Sequence, residues 1–125
     1  MKLAIIVLLC VASSFALNES FIKDHAELLK KFFANSNDVK SAIARGVGFV
    51  VAKKMKKGQI PITGYGALDF DGSKCTIQNG PNKCTAKVTD RLTGATATGK
   101  PAIRLDITLR DALEKTFAQI KAALK

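Results

Sequence analysis

Tryptophan is absent from this 125-residue chain, tyrosine and histidine occur once each, and cysteine occurs three times. These scarcities close off several kinds of chemistry. A single imidazole, His25, cannot assemble the nitrogen and sulfur ligands that zinc requires. As a general base it would need a nucleophile or substrate within hydrogen-bond reach, and no G-x-S-x-G elbow supplies a serine. His25 follows Asp24 within an amphipathic stretch and reads as an ordinary helical histidine. No glycine-rich loop ends in Lys-Ser or Lys-Thr to cradle a nucleotide phosphate. Asp69-Phe70-Asp71-Gly72 resembles the opening of a calcium loop, but the later acidic positions and the closing glutamate are missing. A β-turn with flanking acids is expected there instead. The sequence therefore assigns no catalytic residue, metal or cofactor, and the chain is expected not to be an enzyme.

Long apolar runs are also missing. A membrane-spanning helix takes about 20 apolar residues, and the run of residues 3–11 behind Met1-Lys2 is far shorter. Ala12, Ser13 and Ser14 follow it, and Ser14 and Ala16 fit the −3 and −1 positions of a cleavage site. Residues 1–16 thus read as a cleaved signal peptide, and residues 17–125 as a single secreted domain. Cys10 would leave with the leader. Cys75 and Cys84 remain as an even pair in an oxidising compartment, where a disulfide is expected. Asn18-Glu19-Ser20 is a glycosylation sequon beside the cleavage point.

What the chain has in excess is positive charge: 20 Lys and Arg against 10 Asp and Glu, for a formal net charge of +10. Loss of Lys2 with the leader lowers this by one unit. Such a surface attracts anionic lipid, acidic protein or polyanionic glycan, although basic surfaces also serve solubility alone. Nucleic acid would respond to the same charge. An exported chain with one Tyr, no Trp and no recognisable binding motif is not expected to bind it.

The hydrophobic pattern changes period twice. Over residues 19–34, Phe21, Ile22, Leu28, Leu29, Phe32 and Phe33 form the apolar stripe of an amphipathic helix. Asn35-Ser36-Asn37 should break it. A second helix is expected from about Asp38 to Gly58, with Val39, Ile43, Val47 and Val50 on its buried face. Gly46 and Gly48 inside it suggest close packing or a bend, because each costs a helix about 1 kcal/mol relative to Ala. Alternation then predicts strands at residues 68–71, 74–77 and 83–88, separated by Asp71-Gly72 and Asn79-Gly80-Pro81-Asn82. A turn about Asn79-Gly80 would set Cys75 opposite Cys84, whereas a longer loop would leave them diagonal. Residues 93–99 read as a long turn. Ile103, Leu105, Ile107 and Leu109 alternate with polar residues and predict a fourth strand, half buried. Thr108 and Asp111 suggest a capping box that starts the final helix. Contiguous strands between helices make the fold class α+β: two N-terminal helices, an antiparallel meander of about four strands with a disulfide hairpin, and a C-terminal helix.

This order of elements, with its late disulfide hairpin, is similar to that of the cystatins. Their Gln-x-Val-x-Gly wedge is absent, since Gln59-Ile60-Pro61-Ile62-Thr63 has no Gly at its fifth place, and the chain is assigned to no family. Its most suggestive segment joins an apolar block to a polybasic one. Phe49, Val50 and Met55 could supply burial, and Lys53, Lys54, Lys56 and Lys57 attraction, which together are the needs of a helix that lies on anionic membrane. The plainer reading is a core helix whose lysines solvate its C-terminus and complement its dipole. The expected function is a secreted cationic effector or binding protein of a defence, venom or salivary type, acting at anionic membranes or surfaces. Two alternatives stand beside it: carriage of a small hydrophobic ligand between helices and sheet, or recognition of another protein through the clamped loop from Cys75 to Cys84.

Overall fold

The computed structural model describes residues 17–77 and 82–124. The candidate leader of residues 1–16 and residues 78–81, where the turn about Asn79-Gly80 is expected, lie outside them. Among the described residues the elements are α1 (Glu19–Asp24), α2 (Ala26–Phe33), α3 (Ser36–Ala52), β1 (Lys57–Ile62), β2 (Gly66–Ile77), β3 (Asn82–Thr89), β4 (Thr96–Thr98) and α4 (Leu105–Ala123). The strands form one antiparallel meander in the order β1-β2-β3-β4. The α+β class is as the sequence predicts; several of the elements differ.

The first predicted helix is two. His25 departs from helical geometry (φ −113°, ψ 19°). Its ring stacks on Phe21, and its Nδ1 donates to the Phe21 carbonyl at 2.9 Å. Asn35 caps α3 through its Oδ1, which accepts from the N–H groups of Asn37 and Asp38 at 3.0 and 3.3 Å. The helix therefore opens at Ser36, just before Asp38, as expected. It ends sooner than expected, at Ala52, and Gly58 lies within β1 instead of stopping the helix.

The predicted turn at Asp71-Gly72 is an irregularity inside one long strand. β2 runs through it with a register shift between Asp71 and Lys74. The largest correction concerns residues 103–109, which are not a strand: Leu105–Leu109 open α4, and Ile103 and Arg104 lead into it, Arg104 as the extended N-cap. Positions four apart satisfy both periods, so Leu105 and Leu109 fit either one. Leu109, Ala112, Leu113, Thr116, Phe117 and Ile120 continue the helical stripe and are buried, and this longer pattern prevails. Thr108 consequently sits on the buried face, where its Oγ1 accepts from the Ala86 N–H at 3.2 Å, and it caps nothing. The strands the hydrophobic pattern did not announce are β1 and β4, the latter inside the predicted long turn.

All the helices that meet the sheet lie on one side. Ile60, Ile62, Leu68, Phe70, Ala86 and Val88 face inward and join the buried side chains of α3 and α4 in one core. The other face turns outward and is polar, with Lys57, Asp71, Lys87 and Thr98 in one row across the strands. Gly46 and Gly48 divide their roles. A Cβ at Gly46 would lie 2.8 Å from Ile60 Cγ2, so this glycine does serve close packing, whereas Gly48 faces open space. Gly99 is tighter still, because a Cβ there would lie 1.9 Å from the Thr108 carbonyl oxygen.

These contacts predict opposite outcomes for two identical substitutions. G99A should destabilise the fold by about 2 kcal/mol through backbone displacement, and G48A should stabilise it by about 0.5–1 kcal/mol. Urea unfolding of both variants checks the pair.

Candidate functional site

α3 ends in a Schellman arrangement. Lys53 is the C-cap, Lys54 follows with φ +53°, and Met55 is the next residue. The Met55 N–H donates to Val50 O at 3.0 Å and the Lys54 N–H to Val51 O at 3.1 Å, which is the bonding pattern of that motif. Its left-handed position normally holds glycine, because an L side chain there costs about 1–2 kcal/mol. Here it holds a lysine. The result is a sharp reversal of residues 53–56 between helix and sheet, replacing the expected run of lysines along a helix end.

Lys53, Lys54, Lys56 and Lys57 are all exposed on this reversal, and among the described residues none makes an ion pair. Lys53 Nζ sits 5.0 Å from the centre of the Phe49 ring, within cation–π range. Lys57 stands opposite Asp71 across the β1–β2 ladder, which offsets part of its charge. Phe49 and Met55 are half-buried and rest against the core. Val50 does not belong to the surface: it is 0 % exposed, in phase with Ile43 and Val47. The apolar side chain that faces outward is Val51, at 53 % exposure. Its signal was present in the sequence, since Val50-Val51-Ala52 extends the apolar run one position off the buried stripe.

The other candidate residues take structural parts. Asn18 is exposed, and its Oδ1 accepts from the Phe21 N–H at 3.1 Å as the cap of α1. Its position in the sequon concealed this role. His25 is bonded through Nδ1 to the Phe21 carbonyl and stacks on the Phe21 ring. Asp69 and Asp71 lie in the middle of β2, not in a calcium-loop geometry, and Asp69 pairs with Arg91. Among the described residues no three His, Cys, Asp or Glu side chains cluster as metal ligands, and no helix is long and apolar enough to cross a membrane. Cys84 exchanges both backbone hydrogen bonds with Ala102 (2.7 and 3.0 Å), and on its other side the register sets Cys75 directly opposite.

A buried polar group stands at the far end of the sheet, where sequence reasoning had placed none. Asp90 is 1 % exposed. Its carboxylate accepts from the Tyr65 hydroxyl, from Thr93 Oγ1 at 2.7 Å and from the Leu92 N–H at 3.2 Å. Burial, and then the Asp90 carboxylate as hydrogen-bond acceptor and negative charge, push the Tyr65 phenol well above its ordinary range. Tyr65 also packs with Phe32 and Phe117, their ring centres 5.1 Å from its own. Beside it, a cleft of about 630 Å³ opens between α2, α3 and the β1–β2 turn. Leu29, Phe32, Ala42 and Tyr65 are among its apolar lining, and Lys31, Asp38 and Arg45 are its charged residues.

Comparison of the chain with protein-family models, curated proteins and solved structures yields no match.

The left-handed lysine carries a backbone cost that a glycine would relieve. K54G should raise stability by about 1 kcal/mol, with the Schellman bonds retained. Urea unfolding of the variant against the wild type checks it.

Proposed function

We propose that this is a secreted, cationic, non-enzymatic binding protein that docks on anionic surfaces, above all lipid membranes, through the reversal between α3 and β1. One observation carries the reading. Lys53, Lys54 and Lys56 are exposed without an acidic partner among the described residues, and they sit on a backbone that tolerates a left-handed lysine. Exposed Val51 and half-buried Phe49 lie alongside. Cations near an anionic bilayer contribute about 1 kcal/mol each, and an apolar side chain at the interface adds burial. An acidic protein or glycan would answer to the same lysines but would not require the apolar neighbours.

Two further elements belong to this proposal. Residues 1–16 act as the secretion signal. Cys75 and Cys84 form a disulfide, supported by their register. Cys84 directs its backbone bonds towards Ala102, so on the β2 side the two cysteines make the non-hydrogen-bonded kind of pair. Such pairs approach to about 4.5 Å between Cα atoms, within disulfide range, and a loop this short gains about 2–3 kcal/mol from closure. The alternative of a carrier has one observation in its favour, the cleft beside Tyr65, whose mixed lining suits a small amphipathic molecule better than a wholly apolar one.

Replacing Lys53, Lys54, Lys56 and Lys57 together with Gln should lower affinity for phosphatidylglycerol vesicles by two orders of magnitude or more. Folding stability should change by no more than about 0.5 kcal/mol. Binding by the wild type should also fall steeply with salt. Equal sedimentation of wild type and variant would refute the reading.

A further inference from the structure

α3 leaves the core at the same end of the sheet where α4 enters it. Gly72 touches both approaches. Its N–H donates to the Lys56 carbonyl at 2.7 Å, and a Cβ on it would lie 2.5 Å from Leu105 Cδ1. Two residues before Leu105 stands Ile103, 63 % exposed, the partner in kind of Val51. Lys100 and Arg104 flank Ile103 as the lysines of the reversal flank Val51. An isolated exposed isoleucine is commonplace. Two apolar tips at one end of a molecule, each with cationic residues close by in the chain, are the composition of an interfacial binding face.

The segment that presents Ile103 is fastened at successive points. The Gly99 N–H donates to Ala86 O at 2.8 Å, and the Lys100 N–H to Asp111 Oδ2 at 2.8 Å. Ala102 is bonded in both directions to Cys84. The approach to Ile103 is thus held by hydrogen bonds at Gly99, Lys100 and Ala102, the last directly before it. Among the described residues, Asp71, Asp106 and Asp111 at this end have basic neighbours, and exposed Glu114 lines one cleft with Lys100 and Arg104. Asp106 pairs with Arg104 at 3.2 Å, Asp111 with Lys115 at 2.9 Å, and Asp71 lies opposite Lys57.

We infer that Ile103, with Lys100 and Arg104, forms a second membrane-contacting prong beside the α3–β1 reversal, so that the protein stands end-on on an anionic lipid bilayer. This inference rests on the membrane reading above and adds its orientation. The turns at residues 63–65 and 91–94, joined by the Tyr65–Asp90 bond, point away from the bilayer. Leu92, 54 % exposed in the second of these turns, should remain in water despite its similar exposure.

The absence of native tryptophan makes the test clean. I103W and L92W are each made in the whole protein and titrated with phosphatidylglycerol and with phosphatidylcholine vesicles, recording sedimentation and emission. The expected result is a blue shift of I103W with the anionic vesicles alone, and no shift for L92W. I103S should in addition lower vesicle affinity about tenfold to a hundredfold. Co-sedimentation of I103W without a blue shift, or a shift of L92W as large as that of I103W, would overturn the second prong and leave the polybasic reversal as the contact. Failure of every variant and of the wild type to sediment with anionic vesicles would remove the membrane reading, and this inference with it.

Discussion

Burial of a single sheet face organises this molecule. The inward residues of β1, β2 and β3 have to be covered, and α3 and α4 cover them. Each helix is held close by a position that admits no larger side chain: Gly46 against Ile60 and Ile62, Gly99 against the Thr108 backbone. Because the helices share one side, the opposite sheet face stays polar, and the links into and out of the helices crowd the ends. The end at Gly72 collects the α3–β1 reversal and the approach to α4. The far end collects Tyr65, Asp90 and the aromatic rings of Phe32, Phe33 and Phe117. The two ends differ in kind, one a cationic rim with apolar tips, the other an internally bonded polar and aromatic anchor.

Much of the class was legible in the amino-acid pattern, and the misreadings have local causes. The stripes of residues 21–33 and 109–120 are long and regular enough to identify helices. Ile103 to Leu109 misled because seven alternating residues also contain the four-residue spacing of a helix, and only the residues beyond them decide. β4 has three residues and no hydrophobic alternation to announce it. β1 carries Gly58 and Pro61, signs of a turn in a bare sequence, yet an edge strand tolerates both.

The candidate site was half legible. Its lysines were plain as a run, but their geometry depends on Lys54 adopting a left-handed conformation that no propensity would assign to lysine. Val50 and Val51 are chemically identical and adjacent. Which of them is buried follows from helix phase, and the phase was set by Ile43 and Val47. Ile103 and Asp90 were beyond reach, since the exposure of the first and the burial of the second arise from contacts between segments distant in the chain.

The account's central claim is that one end of the protein meets an anionic bilayer, and hydrogen exchange measured on vesicle-bound against free protein tests it most directly. Added protection is predicted for the amides of residues 51–57 and 100–105, with none at residues 63–65 and 91–94. Protection confined to the far end, or to the residues lining the cleft beside Tyr65, would contradict it.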